Sequence, residues 1–454
     1  MRIRFDRGTL VLEAEHASED PRQIQGATWD EQLCAWRVTA DRHASVIGQL
    51  ADSGVRCSDE SRTGAMEGTW WQVELRTYQR DALASWVEAG RRGVIALPTG
   101  SGKTHVALAA IGEMKVPALV LVPTRVLLDQ WSRAIAACWS KRVGRLGDGE
   151  HEVADVTVAT YASAVTWMPR IGGRFGLVVV DEAHHVGAWC PGEVLEMATA
   201  HARLGLTATP PEEAHALRRH VGDVVFAMRV DELAGEALAP YQLVTVPIRL
   251  TRDERVAYRE QRARFSGFYA PVRRSAPDAS WREFVQIARQ SKAGRAALEA
   301  WRTYRSLIAY PEEKRAVVRE LLARHAGQRT LIFTSDNATA YAIARELLVM
   351  PITHEIGKAE RARTLERFRA GEITVLVSAH VLDEGLDVPD AEVAIVVGGS
   401  SSKRRHVQRI GRVLRPRDGK RAVIYELAVI GTTEVGDVRR RREGLRHEAG
   451  AVHA

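Results

Sequence analysis

Short apolar runs, separated by longer amphipathic stretches, alternate along much of the chain. Between residues 73 and 235 the runs that predict strands are GVIALP (93–98), ALVLVP (118–123), VTVAT (156–160), FGLVVVD (175–181) and RLGLTAT (203–209). Nearly continuous apolar strands that alternate with helices are typical of a parallel sheet covered by helices on both faces. The pattern therefore predicts an α/β domain in this region.

The same alternation returns later in the chain. The second set of predicted strands is TLIFTS (330–335), VLVSA (375–379), VAIVVG (393–398) and AVIYEL (422–427), which predicts a second α/β domain. Residues 251–327 lie between the two sets and are rich in Arg, Glu, Ala and aromatic residues without a clear strand. Two or more amphipathic helices fit this segment best. The run RRRRE at 439–443 predicts a final helix or a basic tail.

The first 70 residues have a different pattern. Apolar residues on both sides of Asp6-Arg7-Gly8 predict two short strands around a glycine turn, and a helix is expected near 41–51. The polar stretch at 57–69 is typical of a linker. The tryptophans of this region are Trp29, Trp36, Trp70 and Trp71. We interpret them preferentially as the core of a small domain, and stacking on bases is the alternative. We therefore divide the chain into 1–70, 71–250, 251–327 and 328–454.

Composition narrows the class of protein only slightly. The 454 residues carry a formal net charge of +7, which favours an anionic partner but also serves solubility. The N-terminus has no apolar signal-peptide core, and the longest apolar runs are too short to span a bilayer. We therefore expect a cytoplasmic protein without a membrane partner. Its four cysteines have no metal-site spacing and are expected to be reduced thiols.

The strongest short motif is LPTGSGKT at 97–104, which follows a predicted strand and precedes a predicted helix. Gly100, Ser101 and Gly102 let backbone N–H groups turn toward phosphates, and the helix N-terminus adds positive charge. Lys103 is expected to reach the β- and γ-phosphates of ATP, and Thr104 is expected to bind Mg²⁺.

A second motif, DEAH, ends the strand FGLVVVD. Burying two carboxylates at a strand end is costly unless a ligand compensates them, and Mg²⁺ bound to ATP would do so. Asp181 would then hold the ion, while Glu182 would orient and deprotonate the attacking water. The triplet Thr207-Ala208-Thr209 ends the next strand. It is a weak signal by itself, but its position directly after the DEAH strand makes it informative.

A third motif, QRIGRVLR at 408–415, lies late in the second α/β domain. Its arginines recur every three residues, at 409, 412 and 415, which places them along one helical face. Such a basic helix is often a solvated surface. Arginine is, however, well suited to contact phosphates and to stabilise charge in a transition state.

Taken in order, LPTGSGKT, DEAH, TAT and QRIGRVLR are the motifs of superfamily 2 helicases, and the chain more closely resembles the XPB-type DNA helicases of archaea and bacteria. The residues that carry this resemblance are LRTYQRDAL (75–83), VLVPTRVLLDQW (120–131), MPITHEIGKAERARTLERFRAGE (350–372), SAHVLDEGLDVPDAEV (378–393) and QRIGRVLRP (408–416). The resemblance implies two tandem RecA-like P-loop NTPase domains.

The resemblance also implies roles for individual residues. Gln79 corresponds to the glutamine that reads adenine, Gly385 and Asp387 to the motif that couples nucleotide to nucleic acid, Arg412 and Arg415 to arginine fingers, and Thr124, Arg125 and Thr160 to contacts with the nucleic-acid backbone. The insert at 251–327 takes the place of a helical thumb, and residues 1–70 take that of a damage-recognition domain. Pro210–Ala214 stands where the family usually has an Arg-Glu-Asp loop, which puts duplex opening in doubt.

We therefore expect an ATP- and Mg²⁺-dependent DNA helicase or translocase, with the family implying 3′-to-5′ polarity and a role in DNA repair. Its expected substrate is single-stranded or forked DNA, with a nuclease or repair protein as a possible partner. The alternatives are a motor subunit of a restriction or defence system, a remodeller that does not unwind, and an RNA helicase. A non-hydrolysing scaffold would be expected to lack Lys103, Glu182 or Arg412, and all three are present.

Overall fold

A computed structural model describes residues 1–16, 19–61, 64–209, 215–235, 237–379, 391–399, 402–414 and 419–442. Within these residues the side chains of 358, 403–405, 408 and 412 are not described. The chain forms two compact units, Met1–Arg229 and Val230–Ala454. No helix of the described part is long and apolar enough to cross a membrane.

The first unit opens with a small sheet. Its elements are β1 (Arg2–Asp6), β2 (Thr9–Glu13), β3 (Thr28–Asp30), β4 (Ala35–Thr39), α1 (His43–Asp52) and β5 (Ser58–Asp59). The strand order is β3-β4-β2-β1-β5, and β5 runs parallel to β1. Alternate residues of β1 and β2 point to one face, where Ile3, Leu10 and Leu12 pack against Val46 and Leu50 of α1. The predicted strand pair and helix are confirmed, and the polar stretch after residue 57 also contributes a strand.

The first α/β domain follows. Its elements are α2 (Thr77–Glu88), β6 (Arg92–Ala96), α3 (Lys103–Met114), β7 (Ala118–Val122), α4 (Arg125–Ala136), β8 (Gly144–Gly147), β9 (Glu150–Glu152), β10 (Val156–Thr160), α5 (Tyr161–Ile171), β11 (Leu177–Asp181), α6 (Gly192–Glu196), β12 (Ala202–Thr207), α7 (His215–His220) and β13 (Val224–Ala227). The described strands form one sheet in the order β13-β6-β12-β11-β7-β10-β8-β9. All neighbours are parallel except β8 and β9. The five predicted strands correspond to β6, β7, β10, β11 and β12.

The N-terminal sheet packs on this α/β domain. A Cβ atom at Gly173 would lie 2.7 Å from Cγ of Phe5, and one at Gly8 would lie 2.4 Å from Cγ of Met197, so side chains already fill the space next to both glycines. Trp70 packs against Trp139 of the α/β domain, with ring centroids 5.7 Å apart. Trp70 is thus not in the core of the N-terminal sheet. Trp29 and Trp71 are 50% and 52% exposed, so the predicted core position is wrong for them as well.

The second unit begins with α8 (Val230–Leu233) and β14 (Tyr241–Ile248). The helical segment then contains α9 (Arg252–Ser275), α10 (Trp281–Arg289), α11 (Lys292–Ala309) and α12 (Glu312–Arg324). Thr251 and Glu254 form a capping box that starts α9. An aromatic core holds α9 to α10 and α11, with Phe265 edge-on to Phe284 and Tyr258 edge-on to Tyr304. The predicted helical insert without strands is confirmed for its described residues.

The remaining elements complete the second α/β domain. They are β15 (Thr330–Phe333), α13 (Asn337–Leu347), β16 (Met350–Ile352), α14 (Lys358–Arg369), β17 (Val375–Ser378), β18 (Val393–Val396), α15 (Lys403–Val413), β19 (Ala422–Val429) and α16 (Glu434–Arg442). The described strands form a parallel sheet in the order β14-β19-β18-β15-β17-β16.

The predicted boundary at residue 250 is wrong. β14 pairs with β19 along its whole length, from Tyr241 opposite Ala422 to Ile248 opposite Val429, so it belongs to the second sheet. The two compact units also divide after Arg229. Local pattern cannot show which sheet a strand joins, because the partner of β14 lies about 180 residues later in the chain.

Candidate nucleotide and nucleic-acid site

Three strand ends bring the predicted ATP-binding motifs together. In the first α/β domain β6, β12 and β11 are parallel neighbours, so their carboxyl ends share one edge of the sheet. The phosphate loop follows β6, Thr207 ends β12, and Asp181 ends β11. Ligands of open α/β sheets bind at this edge. The order of strands therefore gives the motifs, which are separated in sequence, a common location.

The phosphate loop has the backbone conformation that its glycines permit. Gly100 and Gly102 have φ values of 88° and 82°, in the left-handed region that other residues rarely adopt. A Cβ atom on Gly102 would lie 2.4 Å from Nε2 of Gln79, so space also requires glycine here. Gly102 caps α3, whose first turn contains Lys103 and Thr104. The N–H groups and dipole of this helix end suit a phosphate.

Lys103 folds back on its own loop. Its Nζ donates hydrogen bonds to the carbonyl oxygens of Leu97 and Pro98, at 2.8 and 3.2 Å. Ser101 is 2% exposed, and its hydroxyl donates to the same Pro98 carbonyl at 2.6 Å. The loop is thus held in shape by its own polar groups.

Gln79 lies directly against the phosphate loop. Its side-chain amide donates to the carbonyl oxygen of Ser101 at 2.9 Å, and its Oε1 accepts from the backbone N–H of Arg76 at 2.9 Å. The hydroxyl of Tyr78 also donates to Ser101. Gln79 is 4% exposed. Through these hydrogen bonds, the residue predicted to read adenine also joins the start of α2 to the loop.

Asp181 is the buried carboxylate of the site. It is 8% exposed, and one oxygen accepts a hydrogen bond of 2.8 Å from the indole N–H of Trp131. The other oxygen accepts from the backbone N–H of Glu182 at 2.9 Å. Burial raises the pKa of Asp181 above its usual value, while Trp131 and the charge of Lys103 act in the opposite direction. No sequence motif indicates Trp131, because only the fold brings it to Asp181.

Glu182 and His184 connect the DEAH motif to the TAT strand. Glu182 has a φ of 50°, which is uncommon for a residue other than glycine and is found preferentially at functional sites. Nδ1 of His184 lies 3.4 Å from Oε2 of Glu182 and 3.2 Å from the hydroxyl of Thr207. One imidazole therefore contacts both the predicted general base and the neighbouring strand end.

The predicted nucleic-acid contacts occupy the other half of the same sheet edge. Thr124 and Thr160 follow or end the neighbouring parallel strands β7 and β10. Each caps a helix, since Thr124 accepts from the N–H of Leu127 and Thr160 from that of Ser163. Arg125 has a 70% exposed side chain paired with Asp148 at 3.0 Å. The structure brings these three residues to one edge, next to the ATP motifs.

Some predicted site residues lie outside the described part of the chain or have side chains that are not described. Gly385, Asp387, Arg415 and the loop Pro210–Ala214 lie outside the described residues. Arg412 lies in α15, and its side chain is not described. Arg409, on the same helix, is 3% exposed and donates to the carbonyl oxygen of Ala379 at 2.5 Å. It is thus part of the domain interior.

A buried charge cluster surrounds Glu426 on β19. Glu426 is fully buried, and its carboxylate accepts a hydrogen bond of 2.6 Å from Arg442 and lies 3.6 Å from Nε of Arg441. His406 of α15 lies 3.4 Å from it. Burial, with help from the neighbouring arginines, holds the pKa of His406 well below its usual value. We call Glu426, His406, Arg441 and Arg442 the Glu426 cluster; it joins α15 and α16 to the sheet.

Fold and site together define a nucleotide-dependent motor of helicase superfamily 2. Models of three families match the chain: the res subunit of type III restriction enzymes at residues 72–212, the conserved C-terminal helicase domain at 313–417, and the damage recognition domain of xeroderma pigmentosum group B helicase at 3–60. The last model names a more specific family than the other two.

Relatives extend this match over nearly the whole chain. The DNA 3'-5' translocase XPB2 of Sulfurisphaera tokodaii is 37% identical over 97% of this chain and 99% of its own length. The putative DNA 3'-5' helicase Rad25 of Halobacterium salinarum is 31% identical, and the match covers 97% of this chain and 70% of that protein. The chain therefore belongs to the XPB family of superfamily 2 DNA helicases and is an ATP-dependent enzyme of this family.

Solved structures support the fold. The Hef helicase domain of Pyrococcus furiosus aligns with a TM-score of 0.54 at 20% identity, covering 81% of this chain and 98% of that one. Dbp5 of S. cerevisiae bound to RNA and ADP BeF3 aligns with the same score at 15% identity, covering 81% of this chain and 87% of that one. These similarities confirm the prediction of two RecA-like domains.

Proposed function

We propose that this protein is a Mg²⁺- and ATP-dependent DNA translocase that moves 3′ to 5′ on single-stranded or forked DNA. The observation that carries the proposal is the division of one sheet edge. The ATP motifs lie at the ends of β6, β12 and β11, and the helix caps Thr124 and Thr160 lie at the neighbouring β7 and β10. Hydrolysis and strand binding thus take place on one rigid element.

Each residue of the ATP half has a chemical task in this proposal. The N–H groups at the start of α3 bind the phosphates, and Lys103 exchanges its two backbone carbonyls for phosphate oxygens. Glu182 accepts the proton of the attacking water. His184 orients Glu182 through the contact of 3.4 Å between them. Arg412 and Arg415 stabilise the developing charge, as their correspondence with the family's arginine fingers implies.

The residues present fit a magnesium ion. Asp181 and Thr104 offer the oxygen ligands that Mg²⁺ prefers, at one strand end and one helix start. No group of three His, Cys, Asp or Glu residues suited to a metal occurs in the described part of the chain. Mg²⁺ is usually held by one or two carboxylates together with substrate phosphates, which matches this set. The ion would neutralise charge on the phosphates during hydrolysis.

Coupling between the two halves of the edge would run through α4. Thr124 caps this helix, and Trp131 of the same helix donates to Asp181 at 2.8 Å. A change at the DEAH strand end on hydrolysis would therefore reach α4. We propose that this path makes strand binding depend on the state of the nucleotide.

ATP hydrolysis with different nucleic acids tests the proposal. Wild-type protein should hydrolyse ATP faster with single-stranded or forked DNA than with RNA, and only when Mg²⁺ is present. Lys103→Ala should abolish the stimulated rate. Polarity is measured by release of a label from the 5′ or the 3′ end of single-stranded DNA, with earlier release at the 5′ end expected. Equal stimulation by RNA, or no stimulation at all, would contradict the proposal.

Translocation without strand separation is a second candidate. The observation that favours it is the sequence Pro210–Ala214 in place of the family's Arg-Glu-Asp loop. Displacement of a third strand bound to duplex DNA distinguishes translocation without strand separation from unwinding. A translocase removes the third strand even when it does not separate the strands of a fork. A nuclease or repair protein would be a suitable partner for such a motor. A cytoplasmic location stays a prediction.

The N-terminal sheet is proposed to select DNA structure. Its described residues contain none of the ATP motifs, and its packing on the first α/β domain gives it a fixed position. Trp29, 50% exposed and 5.6 Å from the ring of Trp36, offers a surface for stacking on unpaired bases.

A further inference from the structure

A tight hairpin of the first α/β domain reaches the predicted nucleic-acid contacts. Its strands β8 and β9 are antiparallel, and the pairing of Gly147 with Glu150 leaves only Asp148 and Gly149 in the turn. These two residues have φ values of 54° and 86°, the left-handed conformation that two-residue hairpin turns commonly require. Aspartate adopts this conformation more readily than most other residues. The tip of the hairpin therefore carries one carboxylate.

The turn lies against two of the three predicted nucleic-acid contacts. The side chain of Arg125 pairs with that of Asp148, with 3.0 Å between Nη1 and Oδ1, and the two side chains are 70% and 31% exposed. A Cβ atom on Gly147 would lie 2.9 Å from Cγ2 and 3.2 Å from Oγ1 of Thr160, so the hairpin backbone packs directly on this threonine. An acidic residue thus stands among residues that are expected to meet phosphates.

The hairpin is anchored on α4, whose first residue is the arginine of this pair. Arg145 of β8 donates a hydrogen bond of 2.6 Å to Asp129 of α4 and forms an ion pair of 2.9 Å with Glu150 of β9. Leu128 of α4 packs beside Gly147, where a Cβ atom would lie 3.3 Å from its Cδ2. These contacts hold the turn next to the start of α4, so the carboxylate stays within reach of the guanidinium.

We propose that Asp148 sets the affinity of the strand site, which is Thr124, Arg125 and Thr160, by competing with the backbone phosphates of DNA for Arg125. The proposal rests on the proposed function, because it needs a strand at this edge. Carboxylate and phosphate both offer a guanidinium two anionic oxygens, so one displaces the other. An exposed ion pair contributes little net stability, and a phosphate therefore replaces the carboxylate at small cost.

Such competition suits a motor that must release its strand as well as bind it. An arginine that exchanges a carboxylate for a phosphate gains less than one that exchanges only water, and it regains its partner when the strand leaves. Net counterion release also falls, because Asp148 attracts a cation from solution once Arg125 has turned to the phosphate. Strand affinity and its dependence on salt should therefore both be lower than they would be without Asp148.

Strand affinity measured across salt concentrations tests the proposal in the full-length protein. Asp148→Asn removes the charge and keeps the turn, since asparagine also adopts the left-handed conformation. It should bind single-stranded DNA about three- to tenfold more tightly near 0.1 M salt, with a log–log salt slope steeper by about one. Glu152→Gln is the matched control, because it removes one negative charge from the same hairpin, where Glu152 pairs with Arg142 at 2.9 Å. The control should stay within about twofold of wild type.

A double-mutant cycle shows whether the carboxylate acts through the arginine. In an Arg125→Gln background, Asp148→Asn should change the affinity by less than about twofold, because no guanidinium is left to be released to the strand. The gain from Asp148→Asn should thus require Arg125.

Three outcomes would contradict these expectations. Equal affinities of Asp148→Asn and Glu152→Gln would overturn the proposal, as would the same gain with and without Arg125, which would indicate simple repulsion between carboxylate and strand. Both results leave the proposed function standing. Wild-type protein that binds no DNA, or binds it independently of salt, would refute the proposed function and this proposal with it. If Asp148→Asn does not fold, Asp148→Gly also permits the left-handed turn and should give the same gain.

Discussion

The phosphate loop of the first α/β domain and the Glu426 cluster of the second arrange buried charge in opposite ways. At the loop, the hydrogen bonds of Lys103 go to backbone carbonyls and the strongest one to Asp181 comes from the neutral indole of Trp131. In the Glu426 cluster, a fully buried carboxylate meets two arginines, at 2.6 and 3.6 Å. These hydrogen bonds at the first site join charged groups to neutral ones, whereas charge at the second site is met directly by opposite charge.

The difference indicates which site contributes mainly to catalysis and which contributes mainly to stability. A buried charge held by neutral dipoles responds strongly when a charged ligand arrives, because low polarity strengthens the new interaction. A buried carboxylate balanced by arginines has its partner already and instead fixes the elements that carry it. Changes at the loop should therefore affect turnover most, and changes in the cluster should affect stability most.

The largest effect on turnover is expected at the loop. Lys103→Ala and Glu182→Gln should each reduce ATP hydrolysis to roughly one thousandth of the wild-type rate or less, because a phosphate contact or the general base is lost. Glu182→Gln should retain nucleotide affinity, since its length and polarity are preserved. Steady-state hydrolysis and binding of a fluorescent nucleotide measure the two quantities. Near-normal turnover in Glu182→Gln would show that another residue is the base.

Arg412 lies on α15, the helix that the Glu426 cluster holds, and the family resemblance implies that it is an arginine finger. Arg412→Ala should lower turnover by on the order of a thousandfold, as expected for an arginine finger, while nucleotide affinity falls far less. Arg324→Ala is the control, since this arginine is 58% exposed on α12 and pairs with Glu320 one turn earlier on the same helix. A turnover of Arg412→Ala close to that of the control would remove Arg412 from the catalytic group.

The Glu426 cluster should show the reverse balance. Glu426→Gln leaves the buried Arg441 and the partly buried Arg442 without their anion and should lower the free energy of unfolding by about 3 kcal/mol. Glu320→Gln, which removes an exposed partner, should change it by less than about 0.5 kcal/mol. Urea denaturation measures both. Equal stabilities for the two variants would mean that the cluster does not hold α15.

A smaller effect tests the neutral dipole beside Asp181. Trp131→Phe removes one hydrogen bond from a buried carboxylate and should destabilise the protein by about 1–2 kcal/mol. It should also change the Mg²⁺ concentration that gives half-maximal hydrolysis. Trp86→Phe is the matched control, because its indole donates to the carbonyl oxygen of Arg203 at 2.9 Å and does not touch the site. The same Mg²⁺ dependence in both variants would argue against Asp181 as a magnesium ligand.

The smallest effect on basal hydrolysis is expected when the N-terminal sheet is removed. Deletion of residues 1–60 leaves Trp70 on Trp139, so the first α/β domain keeps that contact. Basal hydrolysis should remain largely intact, while binding to forked DNA and strand separation decrease. Basal hydrolysis and strand separation are measured at the same salt concentration for the truncated and the full-length protein. Equal loss of hydrolysis and strand separation in a folded truncated protein would place this sheet within the motor itself.

Sequence alone predicted the features that depend on local pattern. The central strands, the phosphate loop and the DEAH strand end were predictable, because each is a contiguous run of residues with its own chemistry. The pairing of β14 with β19 and the contact of Trp131 with Asp181 were not, because they join residues far apart in the chain. The basic run that ends α16 was predicted as a helix or a tail. Burial of Arg441 depends on Glu426, which nothing local indicates.

The position of Lys103 has a consequence for ligand selectivity. Its hydrogen bonds to the carbonyl oxygens of Leu97 and Pro98 compete with nucleotide phosphates for the N–H donors of the ammonium group. A diphosphate or triphosphate offers it anionic oxygens, which form stronger hydrogen bonds than the carbonyls do. Lys103 is expected to reach the β- and γ-phosphates, and a monophosphate lacks both. We therefore expect this loop to bind ATP and ADP more tightly than AMP.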